Sequence, residues 1–383
     1  MERAFKLTCW NVEWMVHDYE VHFGLKEPGS RTFIGTRPSR ERAAAKLEAL
    51  AETIRRMDSE VVFLCEAVHH PTGMKRFVDE FLPGYVVRQL PQREDAVGGV
   101  QGLSFLLKGD FAARTGAFVQ RPSVWQTFTA TASRNEHVEG KWLAHLPSEE
   151  IDTLGIEELA EHKHFRHPQV LVLDLDGTRV EIIGAHLKSK HIESEFADRA
   201  PNETDLEYLS RDDMREPLAQ ARRARAKLTT EAVDIRHYVN QRFAQDGRPV
   251  LILCGDLNDG PGKEMLERRF LMHDIMANLQ GDVFQARQFL NHALFDWEER
   301  LRWTARFQDK LDPDRDPHIL LDHIMFTEAL SRTGIGSLIV EPFAGSVEHR
   351  VFEEVTSLDP DGVPPSDHRP VSLVVSRHAP AIG

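Results

Sequence analysis

Short apolar runs recur along this chain, and each ends on a polar side chain. Val61-Val62-Phe63-Leu64 passes through Cys65 to Glu66, Val250–Cys254 passes through Gly255 to Asp256, and residues 179–185 lead to His186. A strand that is apolar at successive positions offers no face to water, so it belongs in a sheet covered on both sides. Such runs restrict the chain to layered architectures. They also place each polar residue where a strand emerges from its sheet.

The remaining periodicities supply the layers. Residues 4–10 alternate as a strand, and Tyr85–Leu90 and Gly102–Lys108 read as two more. Over 39–58, Ala43, Leu47, Leu50 and Ile54 fall on one helical face behind Ser39, a suitable N-cap. Residues 169–175 and 179–186 form a hairpin around Asp176-Gly177, a strong turn signal. A long helix covers 216–244, with Arg222, Arg223, Arg225 and Lys227 on its expected exposed face. Strands over His318–Thr327 and Pro370–Val375 close the pattern. Residues 119–168, with a short helical piece expected near Ser148, and residues 190–215 read as insertions into a single domain spanning 1–383. Such long segments serve as lids or binding loops, or as peripheral decoration.

No apolar run approaches membrane-span length, and no apolar leader follows Met1, so the expected location is cytoplasmic. The net charge of −14 argues against a chain-wide grip on polyanions, but fits a site that gathers cations. Cys9, Cys65 and Cys254 lack metal or redox spacing and read as small buried strand residues. The oligomeric state is open.

The strand-end residues share one chemistry. Glu66 and Asp367 suit a hard cation, which takes one or two carboxylates and leaves room for phosphate oxygens. Asp256 and Asn258 alternate onto one side of an extended segment. The first can orient or deprotonate a water, and the second can donate to a phosphoryl oxygen. Gly255 and Gly260 permit close backbone approach and a sharp exit. Of the pairs Asp322-His323 and Asp367-His368, the expected arrangement has Asp322 holding His368, Asp367 facing the metal, and His323 on the opposite strand face. Lys188 and Lys190 follow His186 with period two and suit phosphate contact. Each fragment also has a plainer reading as a turn, a strand cap or a solvated loop.

In order, Asn11/Glu13, Glu66, His186, Asp256-x-Asn258, Asp322 and Asp367-His368 resemble the endonuclease/exonuclease/phosphatase superfamily, with Gly-Asp-Leu-Asn-Asp-Gly-Pro and Ser-Asp-His the most specific stretches. The resemblance implies an α/β four-layer sandwich, two mixed β-sheets packed face to face with helices outside, and Mg²⁺ or Mn²⁺ at one end. It implies that Asn11, Glu13, Glu66 and Asp367 serve the metal and that Asp256 handles the water. Asn258 and His186 would contact phosphate, and His368 with Asp322 would complete the dyad. Glu13 stands where apurinic endonucleases carry Asp, and His186 stands where they carry Tyr; the His186 difference leans away from abasic-site repair. The expected activity is metal-dependent phosphodiester hydrolysis by a nuclease acting on DNA or RNA. The alternative is a phosphatase or phosphodiesterase acting on a small phosphorylated molecule or a lipid head group.

Other clusters carry less. His162, His164 and His167 are candidates for a transition metal or a solvated loop. The helix arginines could track a nucleic-acid backbone or simply face water. Trp125, Trp142, Trp297 and Trp303 read as packing residues.

Overall fold

A computed structural model describes residues 2–27, 37–90, 101–121, 125, 129, 141–150, 153–260, 264–270, 275–309, 311–331 and 336–378. The strands are β1 (Glu2–Asn11), β2 (Val61–Ala67), β3 (Tyr85–Arg88), β4 (Gly102–Lys108), β5 (Phe118–Val119), β6 (Lys141–Pro147), β7 (Glu157–Lys163), β8 (Gln169–Leu175) and β9 (Thr178–His186). They continue as β10 (Val250–Asp256), β11 (Asn291–His292), β12 (Ala305–Arg306), β13 (His318–Ile319), β14 (Asp322–Phe326), β15 (Leu338–Ile339), β16 (Gly345–Val347) and β17 (Val371–Arg377). The principal helices are α1 (Met15–Phe23), α2 (Arg40–Met57), α3 (Pro71–Phe81), α4 (Arg215–Gln245), α5 (Ile275–Gln280) and α6 (His349–Thr356).

Among the described residues, one sheet runs β15-β17-β1-β2-β4-β3 with β16 beside β17, and the other runs β11-β14-β10-β9-β8-β5. Both mix parallel and antiparallel pairs. Strand parity sorts the side chains into layers. Phe5, Leu7, Phe63 and Phe105 of the first sheet meet Leu171, Ile182, Ile252 and Ile324 of the second in one central core. On the first sheet's other face, Trp10, Val62 and Leu64 pack on residues of α1, α2, α3 and α6. On the second sheet's other face, Ile183, Leu251 and Met325 pack on α4 and α5. The result is the expected four-layer α/β sandwich. Cys9, Cys65 and Cys254 are free thiols in the central core, as their strand positions require.

Local chemistry explains the elements. Ser39 caps α2 by accepting from the Arg42 N–H. Asp176 and Gly177 both take positive φ, which a two-residue hairpin turn of the right twist demands. The C-terminal strand expected from Pro370 begins at Val371. The run expected over His318–Thr327 divides, because residues 318–319 pair with 305–306 while 322–326 enter the sheet.

The helical piece expected near Ser148 lies partly outside the described residues, and next to them the Thr153 N–H donates to the Glu150 carbonyl in a single 3₁₀-type turn. An antiparallel hairpin, β6 with β7, flanks that stretch. Its pattern is alternating: Trp142, Ala144 and Leu146 are buried on one face. The arginines expected on an exposed face of α4 differ as well. Arg225 is buried between Glu267 and Glu264, and Arg223 is bound to Glu149, Glu158 and the Pro147 carbonyl. Matching carboxylates from the hairpin and from residues 264–267 neutralise that surface. It offers no free basic stripe for a phosphate backbone.

Candidate active site

Register builds the site. Asp256 at the end of β10 sits opposite His186 of β9 and Asp322 of β14, so the three stand in a row across the second sheet. Inward parity continues from Ile252 and Cys254 to Asp256, and from Ile324 to Asp322. His323 therefore faces the other way, as expected, and lies 2.9 Å from His292 and 2.7 Å from the Asp259 carbonyl. Two glycines make the row possible. A Cβ at Gly255, whose φ is +141°, would lie 1.7 Å from the Ala185 carbonyl oxygen, and one at Gly184 would strike the Phe63 ring.

The first sheet delivers the facing groups. Asn11 ends β1 on the inward side shared with Leu7 and Cys9. Glu66 should point outward by simple alternation, since Cys65 points in. A register shift between Leu64 and Ala67 and a φ of +59° at Glu66 break the alternation, as a bulge does. Glu66 is thereby turned to the site, where Asn11 Nδ2 donates to its Oε1 at 3.2 Å and to Asp256 Oδ2 at 2.9 Å. Asn11 thus fixes both carboxylates, while its own Oδ1 accepts from the Glu13 N–H.

His368 arrives from the loop before β17. Trp10 Nε1 donates to its carbonyl at 2.8 Å, and Ser366 Oγ, which accepts from the His368 N–H, donates to the Asn11 carbonyl. Its Nδ1 lies 2.7 Å from Asp322 Oδ2, the pairing expected from sequence. Asp256, Asp322 and His368 bring ligating atoms within 4.8 Å of one another, the one such trio among the described residues. His186 Nε2 is 3.3 Å from Asp256 Oδ2 and 4.0 Å from Glu66 Oε1.

The electrostatics divide the two histidines. Burial opposes charge on His368, but Asp322, Asp256 and Asp367 override it and hold the imidazole above its ordinary range. His186 is held well below that range by burial, with Arg166 and His368 adding to the effect. Asp256 is raised by burial and by Asp322, against the pull of His368.

Not every expected residue joins the cluster. Glu13 has φ +48° and pairs with Lys46 at 2.9 Å. Asp367 is exposed beside the buried His368, but its carboxyl is raised by burial and interacts with His368, Glu13 and Glu66, so it stands at the rim of the cluster. Asn258 donates its amide to the Leu187 carbonyl and its backbone N–H to Asp256 Oδ1. Lys188 donates its ammonium to the Ser189 carbonyl. Lys190 is held by Asp259 at 2.8 Å, Glu267 at 3.3 Å and Glu264 at 3.6 Å, so it does not reach the cluster. The strand ends at His186, and with it the period-two argument that aligned the lysines.

Two residues of the surroundings went unread in the sequence. Arg166 is buried, bonds to the Leu187 carbonyl and Gln101, and interacts with Glu66 and Asp256. Its signal was its place just before β8, at the sheet end where β9 finishes. Glu231 of α4 accepts from the Lys188 N–H at 2.8 Å and lies 3.1 Å from His162 Nε2. His164 pairs with Asp234 at 2.9 Å, so these histidines belong to a buried hydrogen-bonded network.

Hard oxygen donors dominate the centre, and Asp322 Oδ1 is a buried acceptor with no partner among the described residues. That donor set fits a magnesium-like cation rather than a soft metal. Layers and cluster together define a four-layer α/β sandwich with a buried carboxylate–imidazole centre across one end.

No family model and no curated protein matches the sequence. Among solved structures, the chain is similar to truncated Caenorhabditis elegans TDP2, at 11% identity over 98% of each chain and a TM-score of 0.48. It is also similar to an endonuclease/exonuclease/phosphatase family protein from Bacteroides thetaiotaomicron, at 13% identity over 98% of this chain and 97% of that one, with a TM-score of 0.45. The human Nocturnin catalytic domain with bound sulfate anion shows 16% identity over 97% and 93% of the two chains, with a TM-score of 0.40. No described helix is long and apolar enough to cross a membrane.

Proposed function

We propose that this protein hydrolyses phosphodiester bonds of nucleic acid with the help of Mg²⁺ or Mn²⁺. The observation that carries the reading is the registered row His186–Asp256–Asp322 facing Asn11–Glu66, with His368 held by Asp322. Glu66 and Asn11 would hold the cation, with Asp367 and Glu13 at the margin. Bound there, it would neutralise charge on the phosphoryl oxygens and the leaving oxygen.

The chain's own groups do the rest. Asp256, with its raised proton affinity, accepts a proton from the attacking water and orients it at phosphorus. His368, kept cationic by Asp322, hydrogen-bonds a phosphoryl oxygen as charge builds there. His186, kept neutral by burial, presents a second hydrogen bond without another full charge. Asn258 uses one amide hydrogen on Leu187 and retains the other for the phosphate. Lys188 stands close by as a positive charge.

The test is cleavage of DNA and RNA by the purified protein in Mg²⁺ or Mn²⁺, run beside inositol phosphates and sphingomyelin. Cleavage of nucleic acid that stops with chelator and in Asp256→Ala supports the reading. Turnover of another phosphate ester alone, or activity surviving in Asp256→Ala, refutes it.

A further inference from the structure

A cavity of about 450 Å³ opens beside Asn258, lined in part by Ser189 and Lys190 just past the end of β9. Residues 189–196, the start of the second insertion, form one wall, and Phe307, Gln308 and Leu311 form another. The size suits one compact organic group. The lining is mixed: Ile192, Phe196, Phe307 and Ile319 offer apolar surface, while Ser194 and Gln308 offer hydrogen-bonding edges. Its charged lining comprises four carboxylates, Glu193, Glu195, Glu264 and Asp309, against Lys190 and Arg225, which are already paired. A second phosphate would be repelled there. A flat uncharged ring with polar edges is suited to it.

The segment that walls the cavity also touches the centre. Ala305 bridges His368 directly, and Arg306 beside it is exposed with no ion-pair partner among the described residues. Phe307 follows, half of its surface open at 44%. On the other side of Ala305, Trp303 lies 4.1 Å beneath the Arg369 guanidinium. One short segment thus carries an aromatic ring and an exposed cation next to the backbone bridge to His368.

Building on the phosphodiesterase reading above, we propose that this cavity seats one unpaired nucleobase next to the scissile phosphate, with the strand's backbone passing Arg306. The substrate class is single-stranded nucleic acid. A base within a duplex is stacked and paired and enters such a cavity only by being extruded. The acidic net charge and the neutralised α4 arginines fit this choice, since gripping a duplex by its backbone calls for many free cations.

The test uses a single-stranded oligonucleotide with one cleavable phosphodiester among phosphorothioate linkages, in Mg²⁺. It is compared with the same strand lacking the base on either side of that bond, and with its duplex. Wild type cleaves the intact strand fastest. Phe307→Ala lowers kcat/KM on the intact strand by about ten-fold, and changes the strand lacking the seated base by less than about two-fold. Ile192→Trp fills the cavity and reproduces the selective loss, which guards against misfolding of the first variant. Equal losses on intact and base-free strands, or a duplex cut as fast as the single strand, overturn the cavity's assignment alone. A protein that cleaves no oligonucleotide but hydrolyses another phosphate ester overturns the nuclease reading as well.

Discussion

Glu231 offers the sharpest test of how the site is held. It is fully buried in α4, remote in sequence from the loop it controls. Its Oε2 accepts from the Lys188 N–H at 2.8 Å, and its Oε1 lies 3.1 Å from His162 Nε2. The next carbonyl back, that of Leu187, receives both Asn258 and Arg166. Burial alone would push the Glu231 carboxyl up, but the His162 and His164 contacts and the Lys188 N–H hold it below its ordinary range. Glu231→Ala strands three part-buried partners, the Lys188 and Phe165 N–H groups and His162 Nε2, at about 1–3 kcal/mol each and leaves a void, so about 4 kcal/mol should be lost. That is a large part of a typical stability of about 5–15 kcal/mol. Urea unfolding monitored by circular dichroism measures the loss. Release of the Leu187–Lys188 loop should also lower kcat/KM on single-stranded DNA by about ten- to a hundred-fold, because misplacement of about 1 Å is costly to catalysis. Glu231→Gln keeps an acceptor and should cost roughly half as much stability. The reasoning is falsified if Glu231→Ala unfolds within about 1 kcal/mol of wild type with unchanged activity.

Three further outcomes are expected. Asp256→Asn should lower kcat by at least about a hundred-fold while the circular dichroism spectrum and unfolding midpoint persist, and EDTA should abolish wild-type activity until Mg²⁺ is restored; activity surviving chelation would refute the cation's role. His167 is lowered to about 4 by burial, with His164 adding to the effect, so an unfolded chain protonates near pH 6.5 while the folded one waits until about 4. Stability from this residue is therefore present at pH 7 and falls as pH drops through that window, by about 3 kcal/mol, and His167→Phe should remove that share of the acid sensitivity in urea titrations at successive pH values. Gly255→Ala places a methyl 1.7 Å from the Ala185 carbonyl at a left-handed φ, and should cost more than about 3 kcal/mol or prevent soluble expression; a variant as stable as wild type would show that β9 and β10 separate freely.

Much of the second sheet was legible because its strands are apolar and its site residues sit at their ends. Asp256, His186 and Asp322 follow from counting two residues at a time past buried positions. The Asp322–His368 pair was also legible, since parity sends His323 to the opposite face. Glu66 reached its expected place for a reason that pattern alone misses: alternation points it out, and the bulge turns it in. The insertions were harder. In Lys141–Pro147 the alternation is short and one of its exposed positions is the apolar Leu143, so no clean polar face marks the strand. The fate of Lys190, Arg223 and Arg225 depended on partners remote in the sequence. Charge runs look alike in a sequence whether they face water or carboxylates.

The distribution of strain and charge connects these observations. Glu13, Trp14, Glu66 and Asn258 all adopt positive φ without being glycine, and all lie in or beside the site. Such conformations cost about 1–3 kcal/mol each and persist where surrounding contacts over-determine them. The contacts are present: Asn11 Oδ1 takes the Glu13 N–H, Glu66 Oε2 takes the Trp14 N–H, and Asp256 Oδ1 takes the Asn258 N–H. Carboxylates and an amide of the centre therefore hold the strained backbone that in turn positions them. A cluster so rich in buried anions would repel a phosphate ester on its own. Its imidazolium and the nearby Arg166 offset part of that charge, and a divalent cation at Glu66 would offset more. Cation and substrate should then bind cooperatively: a non-cleavable phosphorothioate strand should bind markedly tighter with Ca²⁺ or Mg²⁺ than with EDTA, and the difference should shrink in Glu66→Gln. Equal affinity in both conditions would place the phosphate away from this centre.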